Sequence, residues 1–175
     1  MGRRGLTRSE IIDATWDLAA QRGLAAVTMR SVAEQLDVTP MALYRHIGDK
    51  QGLLDGLVER LHGEIPIPDA ALPWRERLTL LAGGIRAVAR KHPDLFPLLF
   101  HRPAVTPAAQ RPRETAYAAL REAGLAEDDV VRAERLLSTF ILGFAASEAG
   151  GRFGRLDAEA EYAYAAGLIE MILTK

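Results

Sequence analysis

The sequence predicts an all-α protein, in which an N-terminal three-helix domain is joined by a fourth helix to a larger C-terminal helical domain. Apolar residues recur at helical spacing in one segment after another, beginning with Ile11, Ile12, Leu18 and Ala19. Residues that typically begin and end helices stand between these segments. No stretch of useful length shows the strict alternation of a β-strand, so helices alone are expected.

The composition is that of an ordinary globular protein. Of 175 residues, 49% are hydrophobic and 26% are charged, which sets disordered and fibrous classes aside. The absence of cysteine excludes disulfides and thiolate metal sites. No apolar run approaches the roughly 20 residues of a membrane span, and the N-terminus lacks the apolar core of a signal peptide. We therefore expect a cytoplasmic protein without a membrane segment.

The first helix is predicted over residues 8–22. Thr7 and Glu10 have the spacing of a capping box, in which each side chain accepts a hydrogen bond from the amide of the other residue. Gly23 follows the last helical positions, where a residue in the left-handed conformation commonly ends a helix.

Two short helices joined by a tight turn follow. Thr28 is predicted to cap the first of them, which ends near Asp37. Thr39 is predicted to cap the second, over residues 40–47, and Pro40 suits the first helical position because the amide hydrogen that it lacks would have no partner there. This is the form of a helix-turn-helix, whose second helix enters the major groove of DNA.

The outer face of this second helix indicates a partner. Leu43 and Ile47 lie four residues apart and are predicted to face the other helices, which leaves aromatic, cationic and imidazole side chains outside. The first 50 residues carry only 7 basic against 6 acidic side chains, so affinity for DNA must depend on placement and not on net charge. The side chains whose placement matters are Arg3, Arg4, Arg30, Arg45, His46 and Lys50.

A composition change divides the chain. Asp49 is predicted to cap a fourth helix, and a proline-rich stretch at residues 65–73 then interrupts the helical pattern. We expect a helix-turn-helix domain over residues 1–50, a connecting helix over residues 50–63 and a second helical domain over residues 64–175.

Five further helices are predicted in the second domain. They cover residues 74–91, 94–100, 112–123, 127–148 and 157–173. Gly83 and Gly84 lie inside the first of these, where two glycines mark either close packing or a hinge. Pro103, Pro107 and Pro112 predict a loop before the third.

The last two helices are apolar on two sides. Residues 136–146 are apolar almost all the way round, and the last helix carries Tyr162 and Ile169 on one side but Tyr164 and Leu168 on another. A chain of this size does not readily cover both sides, so a second molecule is the simplest explanation. The residues predicted to form that interface are Leu142, Ala145, Ala149, Leu168, Ile169 and Ile172.

The sequence lacks the common catalytic and metal-binding motifs. It has no G-x-S-x-G, H-E-x-x-H or P-loop pattern. Glu59 and His62 have the spacing of half a di-iron site, but the second copy that such a site requires is absent, so an exposed pair near a helix end is favoured. We predict no enzyme activity, no metal site and no cofactor.

A small-molecule pocket is expected among apolar and aromatic residues, which favours a hydrophobic ligand. A plain core role stays open at each position. His101 and Arg102 fit either a pocket or a surface loop, and Arg102 could instead satisfy helix-end carbonyls. The candidates are Trp74, Leu81, Ile85, Phe96, Phe100, His101, Tyr117, Phe140 and Phe144.

Four short patterns lie between residues 23 and 57: T-x-R-x-V-A from Thr28, L-x-V from Leu36, L-Y-x-H from Leu43 and K-x-x-L-L-D from Lys50. In them the sequence resembles the TetR/AcrR family of bacterial transcription regulators. Further along, W-R-E-R-L from Trp74, K-H-P-D-L from Lys91 and L-G-F from Leu142 are similar to the tetracycline-repressor branch of that family.

The resemblance implies a homodimer whose N-terminal domains bind a palindromic operator in double-stranded DNA. It also implies a C-terminal domain that binds a small-molecule effector, which releases the DNA, and that holds the dimer through its last long helices. Pro66 and Leu98 align where tetracycline-binding members carry histidines that contact the drug, so tetracycline is not the expected effector.

The resemblance further implies a DNA-contacting surface around the second helix of the motif. Met41 and Arg45 are the candidates for reading bases, and Tyr44 and Lys50 for contacting the phosphate backbone. The full set is Thr28, Arg30, Thr39, Pro40, Met41, Ala42, Tyr44, Arg45, His46 and Lys50.

The leading interpretation is therefore a ligand-responsive dimeric repressor, with two alternatives open. One is a helical small-molecule-binding protein or enzyme without specific DNA binding, which predicts DNA affinity at non-specific background. The other is a family member that acts as an activator.

Overall fold

The computed structural model describes residues 5–173, with side chains described as far as Met171. Within this range the chain is helical and contains no strand, which confirms the all-α prediction. A short 3-10 helix covers Leu24–Ala26. The α-helices are α1 (Arg8–Arg22), α2 (Met29–Gln35), α3 (Pro40–Ile47), α4 (Lys50–Gly63), α5 (Trp74–Lys91), α6 (Leu98–His101), α7 (Pro107–Glu122), α8 (Glu127–Ala149) and α9 (Ala158–Leu173).

The described helices include none with the length and apolar character that crossing a bilayer requires.

Local sequence signals account for α1. The Thr7 hydroxyl accepts a hydrogen bond from the Glu10 amide at 3.2 Å, and the Glu10 carboxylate accepts one from the Thr7 amide at 2.8 Å, so the predicted capping box is confirmed. Gly23 has the expected positive φ of 77°. Its ψ of 166° lies outside the left-handed helical region, so that part of the prediction is wrong.

The two helices of the motif begin differently. Thr28 caps α2 through a capping box with Ser31, in which both side-chain-to-amide distances are 3.0 Å. Thr39 occupies the N-cap of α3, but its side chain makes no capping hydrogen bond, so the predicted role of its hydroxyl is wrong. Pro40 stands at the first helical position as predicted, and its fixed φ favours this start without a hydroxyl cap.

Helix α4 begins where predicted and packs closely on α1. The Asp49 carboxylate accepts a hydrogen bond from the Gly52 amide at 3.1 Å. A Cβ atom at Gly56 would overlap the side chain of Ile12, so the approach of the two helices requires glycine there. The Arg60 guanidinium adds a hydrogen bond of 2.7 Å to Asp13 on α1.

The chain forms two compact units. The first contains the residues up to His62 together with the later segment Asp94–Ala109, and the second contains Gly63–Pro93 and the residues from Gln110 onward. Helix α6 therefore lies in the same unit as the helix-turn-helix. The sequence predicted two domains that follow one another along the chain and are joined by a helix over residues 50–63. That division stays a prediction.

Glycine packing also shapes the second unit. A Cβ atom at Gly84 would lie 2.8 Å from Cδ of Pro66, whereas one at Gly83 would meet nothing within 4 Å. The sequence left close packing and a hinge open as explanations of this glycine pair, and the short distance at Gly84 indicates close packing. In the same unit, Leu120 of α7 packs with Val130 of α8 in a buried cluster.

The predicted loop before α7 is present at residues 102–106, with Pro103, but its predicted extension through Pro107 and Pro112 is wrong. The helix begins at Pro107 and contains Pro112, where a loop was expected. Thr106 caps it, because its hydroxyl accepts a hydrogen bond from the Ala109 amide at 3.2 Å. Thr106-Pro107 is thus a cap followed by proline, the same local signal that was recognised at Thr39-Pro40. Pro112 is buried inside the helix, although it cannot donate a helical hydrogen bond.

Two other predicted boundaries moved. The short helix expected over residues 94–100 is confined to α6, because turns occupy the residues that precede it. The last helix starts at Ala158, one residue later than predicted, and Asp157 caps it by accepting a hydrogen bond from the Glu159 amide at 2.9 Å. No described side chain of α9 is buried, so a single chain covers this helix only in part.

Candidate nucleic-acid interface

Helix α3 buries one side chain and exposes most of the others. Leu43 is fully buried against the rest of the first unit. Met41 is 67% exposed and Tyr44 46% exposed, although both side chains are large and largely apolar. Arg45 and His46 are exposed beside them. An eight-residue helix with this outer face has the form of a recognition helix. Binding in a groove of DNA would cover the large side chains that a single chain leaves exposed to solvent.

The cations at this surface differ in how free they are. Within the part of the chain that the structure describes, Arg45 and Lys50 form no ion pair and no side-chain hydrogen bond. Their charges are therefore available to phosphate oxygens or base edges without first breaking an internal contact.

Arg30 is not free in the same way. Its Nε donates a hydrogen bond of 2.8 Å to the carboxylate of Glu34, one helical turn further along α2. This hydrogen bond, together with the charge of Glu34, raises the pKa of Arg30 above its ordinary value. The i,i+4 spacing of Arg30 and Glu34 on one helix is the sequence signal for this pair, which was not among the predictions.

The remaining members of the predicted set differ in exposure. Thr28, Thr39 and Pro40 are exposed, and Ala42 is half-buried. The Thr28 hydroxyl is engaged in the capping box of α2. The ten predicted positions all fall in the first unit, between the start of α2 and the start of α4. Arg3 and Arg4 lie outside the described residues.

Arg102 has contacts that differ from both roles predicted for it. Its guanidinium reaches Asp55 and Gln51 at the beginning of α4, and the one backbone carbonyl that it contacts among the described residues is that of Gln51, not one at the C-terminal end of a helix. Asp55 and Arg102 are 47 residues apart, and no local pattern links them.

The nine candidate pocket residues are divided between the two units. Phe96, Phe100 and His101 belong to the first, and the other six to the second. Phe96 is almost fully buried and meets Phe100 edge-to-face, with ring centroids 6.3 Å apart. Phe100 and His101 are exposed. A ligand role for any of the nine stays a prediction.

The aromatic candidates of the second unit contact other side chains. Phe144 lies 4.8 Å from the ring of Phe153 and 5.3 Å from that of Tyr162. Phe140 stacks on Tyr162 at 6.4 Å, and the Arg86 guanidinium lies 4.2 Å from the centre of the Tyr162 ring. Tyr117 packs against the buried cluster of α7 and α8, while Trp74 and Ile85 are half-buried and Leu81 is buried.

A different group of residues lines a cavity of the second unit that is open to solvent. It has a volume of about 270 Å³ and lies among the segment after α4, the start of α5 and the middle of α7. Its lining consists of Ile67, Pro68, Ala70, Arg77, Arg111, Glu114, Thr115 and Ala118. Arg77 is buried and forms an ion pair with Glu122. None of the nine predicted pocket residues lines this cavity.

The predicted interface residues of α8 and α9 differ in exposure. Ala145 is fully buried within one chain and so has no surface to offer a partner. Leu142, Ala149 and Ile169 are half-buried, and Leu168 is 46% exposed. The side chain of Ile172 lies outside the described residues. Tyr164 and Met171, which were not in the predicted set, are exposed apolar side chains on α9.

An ion cluster joins α5 to α8 and α9. Arg86 is buried and donates hydrogen bonds to Glu148 at 2.9 and 3.0 Å and to Glu159 at 2.8 Å. The hydrogen bonds from Arg86 lower the pKa of Glu148, although partial burial acts in the opposite direction. Burial raises the pKa of the Tyr162 hydroxyl above the cluster.

Among the described residues, no group of three histidine, aspartate or glutamate side chains has the geometry to hold a metal ion. His62 instead places its Nδ1 2.9 Å from the Val58 carbonyl of its own helix.

Two family comparisons cover most of the chain. Residues 11–57 match the family described as bacterial regulatory proteins, tetR family. Residues 67–171 match the family described as the tetracyclin repressor-like C-terminal domain.

Two curated relatives align over most of the chain. The HTH-type transcriptional repressor DrrR1 of Streptomyces coeruleorubidus is 32% identical over 88% of this chain and 60% of its own length. The tetracycline repressor protein class A from transposon 1721 of Escherichia coli is 34% identical over 83% of this chain and 68% of its own length. The chain thus spans only about three fifths of the length of DrrR1.

Solved structures share the fold. BioQ of Mycobacterium smegmatis superposes with a TM-score of 0.84 at 27% identity, over 97% of this chain and 98% of that one. BioQ with its double-stranded DNA operator superposes with a TM-score of 0.79 at 26% identity, over the same shares of the two chains.

Proposed function

Because the chain belongs to the tetR family of bacterial regulatory proteins, we propose that it is a dimeric transcriptional repressor that binds operator DNA and is released by a small molecule. The observation that carries the proposal is the outer face of α3, where Met41, Tyr44, Arg45 and His46 are exposed together. The regulatory names of the relatives point to a regulatory and not an enzymatic role.

The chemistry of this face suits DNA. Arg45 can donate two hydrogen bonds to a guanine edge, and Met41 can contact a thymine methyl group. Lys50 at the start of α4 and the Tyr44 hydroxyl can contact phosphate oxygens, which orient the helix without reading sequence. The BioQ complex with its operator supports this assignment by analogy of fold and sequence.

A second copy is part of the proposal for an energetic reason. Arg45 and Lys50 are few charges for a DNA-binding surface, and the salt-dependent part of the affinity grows with the number of phosphates neutralised. Two copies held at fixed distance double that number and would read half-sites about one helical turn apart. The exposed apolar side chains Tyr164, Leu168 and Met171 on α9 support an interface there.

The effector is proposed to be small and hydrophobic. The 270 Å³ cavity of the second unit is close to the lower end of ligand-pocket volumes, about 300 Å³, and Ile67, Pro68 and Ala118 give it apolar walls. This cavity is a second candidate for the ligand site, besides the nine residues that were predicted to line a pocket. A panel of small apolar and aromatic compounds tested by thermal shift would find binders. A true effector should weaken operator affinity by roughly 5–150-fold.

Selection of bound fragments from a random pool of double-stranded DNA tests the central proposal. We expect enrichment of a palindrome, and its loss when Tyr44 and Arg45 are both replaced by alanine. Failure to enrich any sequence would contradict the proposal and favour the alternative, a helical small-molecule-binding protein or enzyme without specific DNA binding. A reporter gene placed behind the selected site distinguishes a repressor from an activator by the direction of its response.

A further inference from the structure

One arginine outside the helix-turn-helix holds the beginning of α4. The Nε and Nη2 atoms of Arg102 donate hydrogen bonds to one carboxylate oxygen of Asp55 at 3.1 and 2.5 Å. Its Nη1 donates to the side-chain oxygen of Gln51 at 2.5 Å, and Nη2 also reaches the Gln51 carbonyl at 3.2 Å. A single planar side chain thus contacts both the backbone and the side chains of the first two turns of the helix.

The contact with Asp55 is partly shielded from water, whereas the contacts with Gln51 lie at the exposed surface. The Arg102 side chain is 17% exposed and that of Asp55 is 30% exposed, whereas most exposed ion pairs contribute little because water screens them. Charge-assisted hydrogen bonds from the guanidinium fork also constrain direction as well as distance, which a flexible lysine would not do.

The backbone that carries Arg102 is held in place by a hydrogen bond and by buried neighbouring side chains. Arg102 ends α6, where its amide donates a hydrogen bond to the Leu98 carbonyl at 3.0 Å. Leu95, Phe96 and Leu99 on the same segment are buried within the first unit. The side chain therefore projects from packed backbone and is not a mobile surface group.

The place on α4 that Arg102 contacts matters for DNA binding. Gln51 directly follows Lys50, the proposed phosphate contact, and Asp55 lies one helical turn further on. Lys50 has no internal partner in the described part of the chain. The position of its ammonium group therefore depends on where the backbone of α4 places the side chain. Any tilt or fraying of the first turn of α4 would displace it.

We propose that Arg102 is a positioning residue for DNA binding, which fixes the first turn of α4 so that Lys50 reaches a phosphate. This inference rests on the proposed DNA-binding function. It gives a role in DNA binding to the segment Asp94–Ala109, which belongs to the same unit as the helix-turn-helix. This segment follows Lys50 in the chain by more than 40 residues.

A double-mutant cycle tests the inference, with affinity for the selected operator measured by fluorescence anisotropy. Arg102→Ala should weaken binding about tenfold in the presence of Lys50, but less than about twofold in a Lys50→Ala background, because the contact that it positions is then missing. Arg102→Lys keeps the charge but loses the fork, so it should behave like Arg102→Ala. Asp55→Asn, which removes the charge of the acceptor, should fall between these variants and the wild type.

Arg60→Ala is the matched control. Arg60 also ties α4 to another helix, because it contacts Asp13 at 2.7 Å and the Trp16 ring at 4.3 Å on α1, but it lies at the opposite end of α4 from Lys50. It should lower the melting temperature without changing operator affinity. Circular dichroism verifies that each variant is folded at the temperature of the binding assay, and Asp55→Asn serves in place of Arg102→Ala if that variant is not.

Two outcomes would overturn the inference: operator binding by Arg102→Ala and Asp55→Asn equal to that of the wild type, or losses at positions 102 and 50 that simply add. Neither outcome affects the proposed function, because the wild type still binds in both. A wild type that selects no operator would instead remove the proposed function itself.

Discussion

Arg30 and Glu34 form an ion pair of 2.8 Å on the exposed outer face of α2, so a cation expected to contact DNA is held by a carboxylate of its own helix. Glu34→Gln should free the guanidinium and remove a negative charge that phosphates repel. We expect operator affinity at low salt to rise roughly threefold to tenfold and the slope of log K against log salt to steepen by about 1. Titrations at several salt concentrations measure both.

Glu76→Gln removes the same charge from the first turn of α5, in the second unit. It controls for the change in net charge. If both variants change the affinity equally, the effect belongs to net charge and not to Arg30.

Arg45→Ala and Lys50→Ala should have different effects on specificity. Loss of a base contact relaxes discrimination at one operator position by about 1–3 kcal/mol, whereas loss of a phosphate contact weakens all sequences alike. Binding to a set of operators with single base changes gives the comparison. Equal discrimination by both variants and the wild type would show that the two roles are wrongly assigned.

Leu168→Arg should dissociate the proposed dimer. The side chain is 46% exposed in one chain, so arginine can be accommodated in the monomer but not at an apolar interface between copies. Sedimentation equilibrium should report the monomer mass and operator affinity should fall. Val105→Arg, at a 58% exposed position of the first unit, is the control. An unchanged dimer for Leu168→Arg would move the interface away from this part of α9.

The glycine pair of α5 provides a matched test of packing. Gly84→Ala places a methyl group 2.8 Å from Cδ of Pro66 and should destabilise the protein by about 1–3 kcal/mol. Gly83→Ala meets nothing within 4 Å and should stabilise the helix by up to about 1 kcal/mol. Urea unfolding curves measure both. Stabilisation by both substitutions would mean that Pro66 does not pack closely on α5.

Glu148 should make the protein sensitive to acid. Because Arg86 lowers the folded-state pKa of Glu148, this carboxylate contributes stability above its unfolded-state pKa of about 4.3 and loses it as pH falls through the folded-state value. Glu148→Gln should therefore reduce the pH dependence of the unfolding free energy below about pH 5. Unfolding curves between pH 3 and 7 test this, with Glu76→Gln as the exposed control. An unchanged slope for Glu148→Gln would contradict the stabilising role.

The sequence predicted best where the deciding interactions are local. The Thr7–Glu10 capping box, the start of α3 at Pro40 and the burial of Leu43 all depend on residues within one or two helical turns. Two of the local errors have local causes as well: Thr106-Pro107 is a cap followed by proline at the start of α7, and Thr39 begins its helix without using its hydroxyl.

By itself, then, the sequence determined most of the helical segments, which residues of α3 remain outside and which family the chain resembles, because backbone hydrogen bonds and apolar periodicity act over a few residues. Only the tertiary structure decided that Arg102 meets Asp55 across 47 residues and that Arg86 meets Glu148 across 62. Such pairs form only when the packing of helices brings two side chains within hydrogen-bond distance. From the sequence alone, many other polar residues could pair with the same charged group.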